Sequence, residues 1–513
     1  MPNAVFVLDF GAQYSQLIAR RVRECGVYCE IVPYDTTWSE LSARRPAALI
    51  LSGGPESTLV KDAPDMDGAI LKSGVPILGI CYGMQLLARE IGAELVKLDH
   101  SEYGPATLRV SNRETPLFDG VEESSRVWMS HGDSVVELPK GYCALASTGR
   151  CRIAAMGSPK ERVYGVQFHP EVVHSQYGRT VLENFLHKIA GLGDDWKMES
   201  FLDRAVEDVR ARIGSARAIC ALSGGVDSAV AATLVGRAIG DRLTCIFVDH
   251  GLLRQGEVEQ VVAAFREILH LNVVAVDARK RFLKKLRDVE DPERKRIIIG
   301  HEFIEVFERE AARIRGVKFL VQGTLYPDVI ESKTPLSKAG HKIKSHHNVG
   351  GLPAKMGLKL IEPLRELFKD EVRELGRVLG LPRAIVERQP FPGPGLAVRI
   401  IGDVTEDRLE IVRAADAIVR EEIDGASLDP HPWQYFAVLT PVKSVGVMGD
   451  GRSYANLVAV RAITSDDGMT ADWARLPHTL LERIASRIVN EVHGVNRVAY
   501  DITTKPPATV EWE

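Results

Sequence analysis

The chain has 513 residues, is 45% hydrophobic and 26% charged, and carries a formal net charge of −4. That length allows about two to four domains with cores of their own, while the near-neutral balance offers no basic field for nucleic acid and no apolar run is long enough for a bilayer-spanning helix. Seven cysteines, an odd number with no Cys-x-x-Cys pair, fit neither a disulfide framework nor a structural zinc site and point to a reducing, cytoplasmic setting.

The opening run Ala4–Leu8 lacks a basic flank and reads as a first strand, not a signal peptide. Apolar runs at Ala4–Leu8, Ala47–Leu51 and Val75–Ile80 alternate with amphipathic stretches at Gln13–Glu24 and Met84–Ile91. That alternation predicts a mostly parallel sheet with helices on its faces. Strand-like Val163–Phe168 and helical Arg179–Ala190 follow, and Gly191 to Asp195 then breaks the pattern. A helix at Met198–Arg212 opens a second series, in which Ala218–Leu222, Leu243–Val248, Asn272–Val276 and Lys318–Val321 read as buried strands. From Gly323 to Pro353 the pattern dissolves into Gly, Lys, His and Pro, the composition of a long loop serving as a lid. Helical Leu364–Leu379 precedes Gln389 to Gly395, a Pro/Gly run that marks a second boundary. Beyond it come a charged helix (Glu406–Glu422), strands at Tyr435–Leu439, Leu457–Ile463 and Val498–Ile502, and a helix at His478–Asn490. The predicted fold class is α/β: two doubly wound parallel-sheet domains, 1–193 and 194–388, followed by a smaller α+β domain, 389–513.

Of the cysteines, Cys25, Cys29, Cys220 and Cys245 read as core filler; Cys81 stands apart. Gly79-Ile80-Cys81-Tyr82-Gly83 joins a strand to a helix, the thiol counterpart of a nucleophile elbow. The two glycines are expected to let the backbone turn sharply, and the helix N-terminus favours thiolate and offers amides to an oxyanion. A nucleophile needs a base and the base an orienting group. His169-Pro170-Glu171 supplies both, since residues two apart on an extended backbone share a face. Gly53 and Gly54, in the turn after Leu51, offer a second set of backbone amides. Together Cys81, His169 and the Gly-Gly turn resemble the class I (triad) glutamine amidotransferases over roughly residues 1–193. The resemblance implies that Cys81 attacks the side-chain amide of glutamine, forms a thioester and releases ammonia, with Gly53, Gly54 and Tyr82 around the glutamine.

The second series carries Ser223-Gly224-Gly225-Val226-Asp227-Ser228 between a strand and a helix. Its glycines permit a tight loop whose amides face an anion, two serines add donors, and the helix adds its dipole. Asp227 beside phosphates makes sense through Mg²⁺ or as a cap. No Gly-Lys-Ser/Thr closes the loop, so it is not a Walker A motif. The string is similar to the pyrophosphate loop of the ATP pyrophosphatases, which implies ATP at Ser223, Gly224, Gly225, Val226, Asp227 and Ser228, with adenosine at the strand end near Val248. His250, in that same string, has no role assigned. In the long loop, Asp328 and Glu331 are further acids for Mg²⁺, and Lys342, Lys344, His346 and His347 are cations for leaving phosphate.

Asparagine and NAD synthetases pair a similar loop with other glutaminases; anthranilate, CTP and carbamoyl-phosphate enzymes pair a class I glutaminase with other partners. The two together resemble the GMP synthetases. So do three strings, Val321–Ser332, Ile343–Gly351 and Lys505–Glu513, and the likeness spans the whole chain. It implies an ATP-dependent carbon–nitrogen ligase taking glutamine, ATP with Mg²⁺, and xanthosine 5′-monophosphate (XMP). XMP would contact Pro392, Gly393, Lys505 and Glu511, with Arg399 and Gln434 as further candidates, and the third domain would make a homodimer. An RNA-acting ATP pyrophosphatase fits poorly with the missing basic arm, and an inert nucleotide sensor fits poorly with the intact Cys81, His169 and Glu171 set.

Overall fold

Residues buried on both faces of a sheet read as continuous apolar runs, whereas a strand with one solvated face alternates. Both kinds occur here. The computed structural model describes residues 4–11, 14–112, 115–333, 357–448, 451–465 and 470–513, excepting the side chains of 99, 100, 331–333 and 448. The chain divides into two units: Met1–Phe201 with Ile330–Thr334, and Leu202–Val329 with Pro335–Glu513.

The first unit holds strands β1 (Val5–Asp9), β2 (Cys29–Pro33), β3 (Ala48–Leu51), β4 (Ile77–Ile80), β5 (Glu94–Val110), β6 (Ser124–Glu137), β7 (Cys143–Ser147), β8 (Ala155–Ser158) and β9 (Val163–Val166). They form one nine-stranded sheet, ordered β2-β1-β3-β4-β9-β8-β7-β5-β6. From β2 to β9 the pairs are parallel; from β9 onward they are antiparallel. The sheet is therefore mixed, and its antiparallel half is more extensive than the sequence suggests. The reason lies in burial: β3, β4 and β9 are buried throughout, while β6 alternates along much of its length.

The second unit opens with an all-parallel five-stranded sheet, β10 (Arg217–Leu222), β11 (Leu243–Asp249), β12 (Val273–Asp277), β13 (Val317–Val321) and β14 (Lys359–Ile361), ordered β12-β11-β10-β13-β14. The strand order reverses direction beside β10, and ligands of such sheets bind outside the carboxyl ends of the strands at that point. The Ser223 loop leaves β10 there. A second sheet follows: β15 (Gln434–Met448), β16 (Gly451–Thr464) and β17 (Asp472–Trp473) are antiparallel, and β18 (Val495–Asp501) runs parallel to β16. One core serves both sheets, with Ile219, Ile246 and Leu320 from the first, Ala437, Val458 and Val460 from the second, and Ile299, Val306 and Phe307 from helix Pro292–Ala311.

The stretch expected to be a loop from Gly323 begins with a helix, Tyr326–Lys333. Asp328 caps it by accepting from the Leu325 amide at 3.0 Å, and the Tyr326 ring meets Phe368 edge-on at 5.4 Å. A tertiary aromatic contact thus fixes a segment whose composition reads as irregular. Lys342, Lys344, His346 and His347 lie outside the described residues, as does the Glu331 side chain.

Candidate functional site

Cys81 sits between the end of β4 and helix Tyr82–Glu90, with φ 53° and ψ −105°. That left-handed region costs a non-glycine residue about 1–3 kcal/mol, so the surroundings must impose it. They do so by hydrogen bonds from the Cys81 amide to Val166 O (2.8 Å) and from the Gly83 amide to Ser52 O (3.0 Å). The expectation that Gly79 and Gly83 supply the turn is corrected: neither has positive φ. They permit close approach instead, since a Cβ at Gly79 would lie 2.5 Å from Gly83 and one at Gly83 only 2.3 Å from Leu51 O. The conformational demand falls on the nucleophile itself.

The thiol is 5% exposed, with Sγ 3.4 Å from Ser130 O and 3.7 Å from Gln167 Nε2. His169, just past β9, interacts electrostatically with Cys81 and places Nδ1 2.6 Å from Glu171 Oε1. The ring is held by its backbone: its amide donates to Trp128 O at 3.0 Å, and the Ser175 hydroxyl donates to its carbonyl at 2.6 Å. Glu171 is fully buried. The three residues singled out in the sequence are therefore brought together. Burial by itself lowers the His169 pKa, but the Glu171 charge, the interaction with Cys81 and the hydrogen bond to Glu171 outweigh it and push the pKa up to about 11. The imidazole thus holds its proton at neutral pH, the state that pairs with a thiolate.

This shift has a stability consequence. A folded pKa raised above the usual value of 6.5 stabilises fully below about pH 6.5, and the contribution is lost as pH rises towards 11. Glu171→Gln removes the largest raising influence. Its thermal midpoint should therefore fall less steeply than the wild type's between about pH 7 and pH 10. Equal slopes in a melting series across that range would count against the ion pair.

Gly53 and Gly54 follow β3. Gly54 is tight: a Cβ there would lie 3.0 Å from the Tyr82 ring. Tyr82 is 1% exposed, and its hydroxyl donates to Pro64 O at 2.5 Å. Its phenol is thus committed to the core, and what it can offer a substrate is the first amide of the helix.

In the second unit, Gly224 takes φ +76°, and Gly225 caps helix Val226–Ile239. The Ser223 and Ser228 hydroxyls lie 3.1 Å apart, and Ser228 donates to Gly225 O at 3.0 Å. Two cations that the sequence reading missed stand at this loop. Lys369 donates to both Asp227 oxygens, at 2.7 and 2.5 Å, and Arg388 donates to Gly224 O at 2.5 Å while pairing with Glu257. Both come from beyond the long loop, so no spacing rule links them to it. Among the described residues no three His, Cys, Asp or Glu side chains gather as a metal site. One carboxylate at a phosphate loop does fit an Mg²⁺ held chiefly by nucleotide phosphates. Val248 is 2% exposed and belongs to the core. His250 is buried, its Nδ1 accepts from the Leu252 amide at 3.0 Å, and burial together with Arg413 pushes its pKa down to about 4. It is a neutral structural histidine.

Of the residues expected around XMP, Pro392 accepts from the Gly395 amide at 2.9 Å, and Gly393 has open space where a Cβ would stand. The close approach in that run belongs to Gly395, where a Cβ would lie 2.3 Å from Leu252 O at φ +62°. Glu511 accepts from Arg399 Nη2 and Nε at 2.9 and 3.0 Å and from Gln434 Nε2 at 2.8 Å, which gathers three of the named candidates. Arg399 is fully buried, with Phe436 4.0 Å away and Asp416 at 3.2 Å. Lys505 pairs its backbone with Ala471 in both directions, at 2.8 and 3.0 Å.

Family models match in two places: glutamine amidotransferase class-I over residues 6–189, and the GMP synthase C terminal domain over residues 421–512. Curated relatives named glutamine-hydrolysing GMP synthase match end to end. That of Caldicellulosiruptor saccharolyticus is 58% identical over 510 residues, 99% of either chain. That of Carboxydothermus hydrogenoformans is 56% identical over 513 residues, 100% of either chain, and that of Geobacillus kaustophilus is 57% identical over 509 residues, 99% of either chain. With identity at that level along the whole length, the chain belongs to the glutamine-hydrolysing GMP synthase family.

Proposed function

We propose that the chain makes GMP from XMP, using glutamine as nitrogen donor and cleaving ATP to AMP and pyrophosphate. The observation that carries this reading is the joint presence of the Cys81–His169–Glu171 set and the Ser223–Ser228 cradle on a chain of this family. At the first site the Cys81 thiolate attacks the glutamine side-chain carbonyl carbon. Backbone amides at Gly53, Gly54 and Tyr82 face the developing oxyanion. His169 gives its proton to the departing nitrogen, ammonia leaves, and water, deprotonated by His169, hydrolyses the thioester to glutamate. Glu171 holds the imidazole in the orientation both steps need.

At the second site the C2 oxygen of XMP attacks the α-phosphorus of ATP, and pyrophosphate departs into the amides and hydroxyls of Ser223–Ser228. Lys369 and Arg388 add positive charge there. Asp227 is the carboxylate that would help to hold Mg²⁺ bound with ATP, which would supply charge shielding for the phosphates. Adenosine lies against the backbone at the end of β11, beside Val248. Ammonia then adds at C2 of the adenylated purine and AMP leaves, giving GMP. Lys344, His346 and His347 serve this intermediate as cationic donors. Pro392, Gly393, Lys505 and Glu511 contact XMP. Residues 1–193 form the glutaminase, 194–388 the adenylating domain, and 389–513 an XMP-binding domain through which two copies pair. No helix among the described residues is long and apolar enough to cross a membrane.

Incubation with XMP, ATP–Mg²⁺ and glutamine should yield GMP, AMP, pyrophosphate and glutamate in equal amounts. ADP as the nucleotide product would sink the adenylation step.

A further inference from the structure

Lys295 is one of the largest fully buried side chains among the described residues, at 0% exposure, and the sequence assigns it no role. A lysine is almost never fully buried unless paired, because its ammonium loses water. Here the ammonium donates to the carbonyl oxygens of Ile400 (2.7 Å) and Ala397 (3.3 Å) and to the Glu513 carboxylate. Glu513 is secured twice more: its other side-chain oxygen accepts from the Gly402 amide at 3.4 Å, and its main-chain oxygen accepts from Arg296 at 2.5 Å. One ammonium on helix Pro292–Ala311 therefore ties together two separate segments. The first is 392–400, which carries Pro392, Gly393 and Arg399. The second is the tail, which carries Glu511 two residues before Glu513.

Glu511 meets Arg399 and Gln434 where those two segments come together. Two residues of extended chain span only about 7 Å, so the placement of Glu513 sets where the Glu511 carboxylate stands. The lysine cannot touch substrate itself, because it has no exposed surface. We propose that Lys295 is a positioning residue for XMP binding: through Glu513 and the carbonyls of Ala397 and Ile400 it holds Glu511 and the Arg399 segment in register. This rests on the reading of Glu511 as an XMP contact.

The test uses the full-length enzyme with saturating ammonium in place of glutamine, so that the first site takes no part. Lys295→Met should raise the KM for XMP at least about tenfold while the KM for ATP stays within about twofold. Glu513→Gln should shift the KM for XMP in the same direction, by less, because a neutral amide can still accept from the ammonium. The double variant should be no worse than Lys295→Met alone, since both remove one shared contact. Where Lys295→Met does not fold, as judged by circular dichroism and gel filtration, Glu513→Gln decides on the same criterion. The inference is overturned by a folded variant whose KM for XMP stays within twofold of wild type, by parallel rises for XMP and ATP, or by fully additive losses. Wild-type enzyme that makes no GMP from XMP would instead defeat the functional reading beneath it.

Discussion

Cys81→Ala is expected to lower glutamine-driven GMP formation about a thousandfold or more while synthesis from ammonium continues near the wild-type rate. The expectation follows from what the thiol does and does not touch. Its Sγ lies near Ser130 O and Gln167 Nε2 and interacts electrostatically with His169, all within the first unit. Alanine removes the attacking atom while leaving φ 53° to be held by the same amide bonds. Removing one buried sulfur leaves a small cavity and costs about 1 kcal/mol of packing. The measurement is GMP release with each nitrogen source in turn, followed by absorbance. Loss of both activities would mean that the thiol supports the fold or the second site as well, and that the two chemistries cannot be separated as argued.

Asp227→Ala is expected to reduce ammonium-driven synthesis by about a hundredfold or more, which the first site cannot rescue. Asp227 is in the first turn of the helix that follows the phosphate loop, and both its oxygens hold Lys369. Removing it takes away a carboxylate that can meet the cation on ATP, and it also frees Lys369 from its position. Lys369→Met separates these contributions. It leaves the carboxylate and takes away only the ammonium, so its loss should be clearly smaller than that of Asp227→Ala. Equal losses in the two variants, at saturating ammonium and ATP, would reduce Asp227 to an anchor for the lysine. Raising Mg²⁺ should recover part of the Asp227→Ala defect and none of the Lys369→Met defect.

Much of the fold can be read from the chain. The strands Ala48–Leu51, Ile77–Ile80, Leu243–Asp249 and Val317–Val321 fall where apolar runs predict them, because strands buried on both faces are mostly apolar, with Thr244 and the exposed Lys318 as interruptions. The long antiparallel pair Glu94–Val110 and Ser124–Glu137 escapes that reading, since one face of Ser124–Glu137 alternates towards solvent and its residues look ordinary in sequence. Helix Tyr326–Lys333 escapes it because a contact with Phe368, forty-two positions on, settles its conformation.

The sequence by itself determined the chemistry available: a cysteine at a strand–helix turn, a His-x-Glu pair, and a Ser-Gly-Gly-Val-Asp-Ser loop are local patterns, written in consecutive residues. Only the tertiary structure decided what surrounds them. It moved the strain of the elbow from its glycines to Cys81, because Gly79 and Gly83 are wedged against neighbouring backbone. It brought Lys369 and Arg388 to the phosphate loop and Lys295 to Glu513, across separations of 142, 164 and 218 residues. Charge pairing at such distances leaves no periodicity in the chain. It is set by which strand ends the sheet order places side by side, and by the need of every buried charge for a partner.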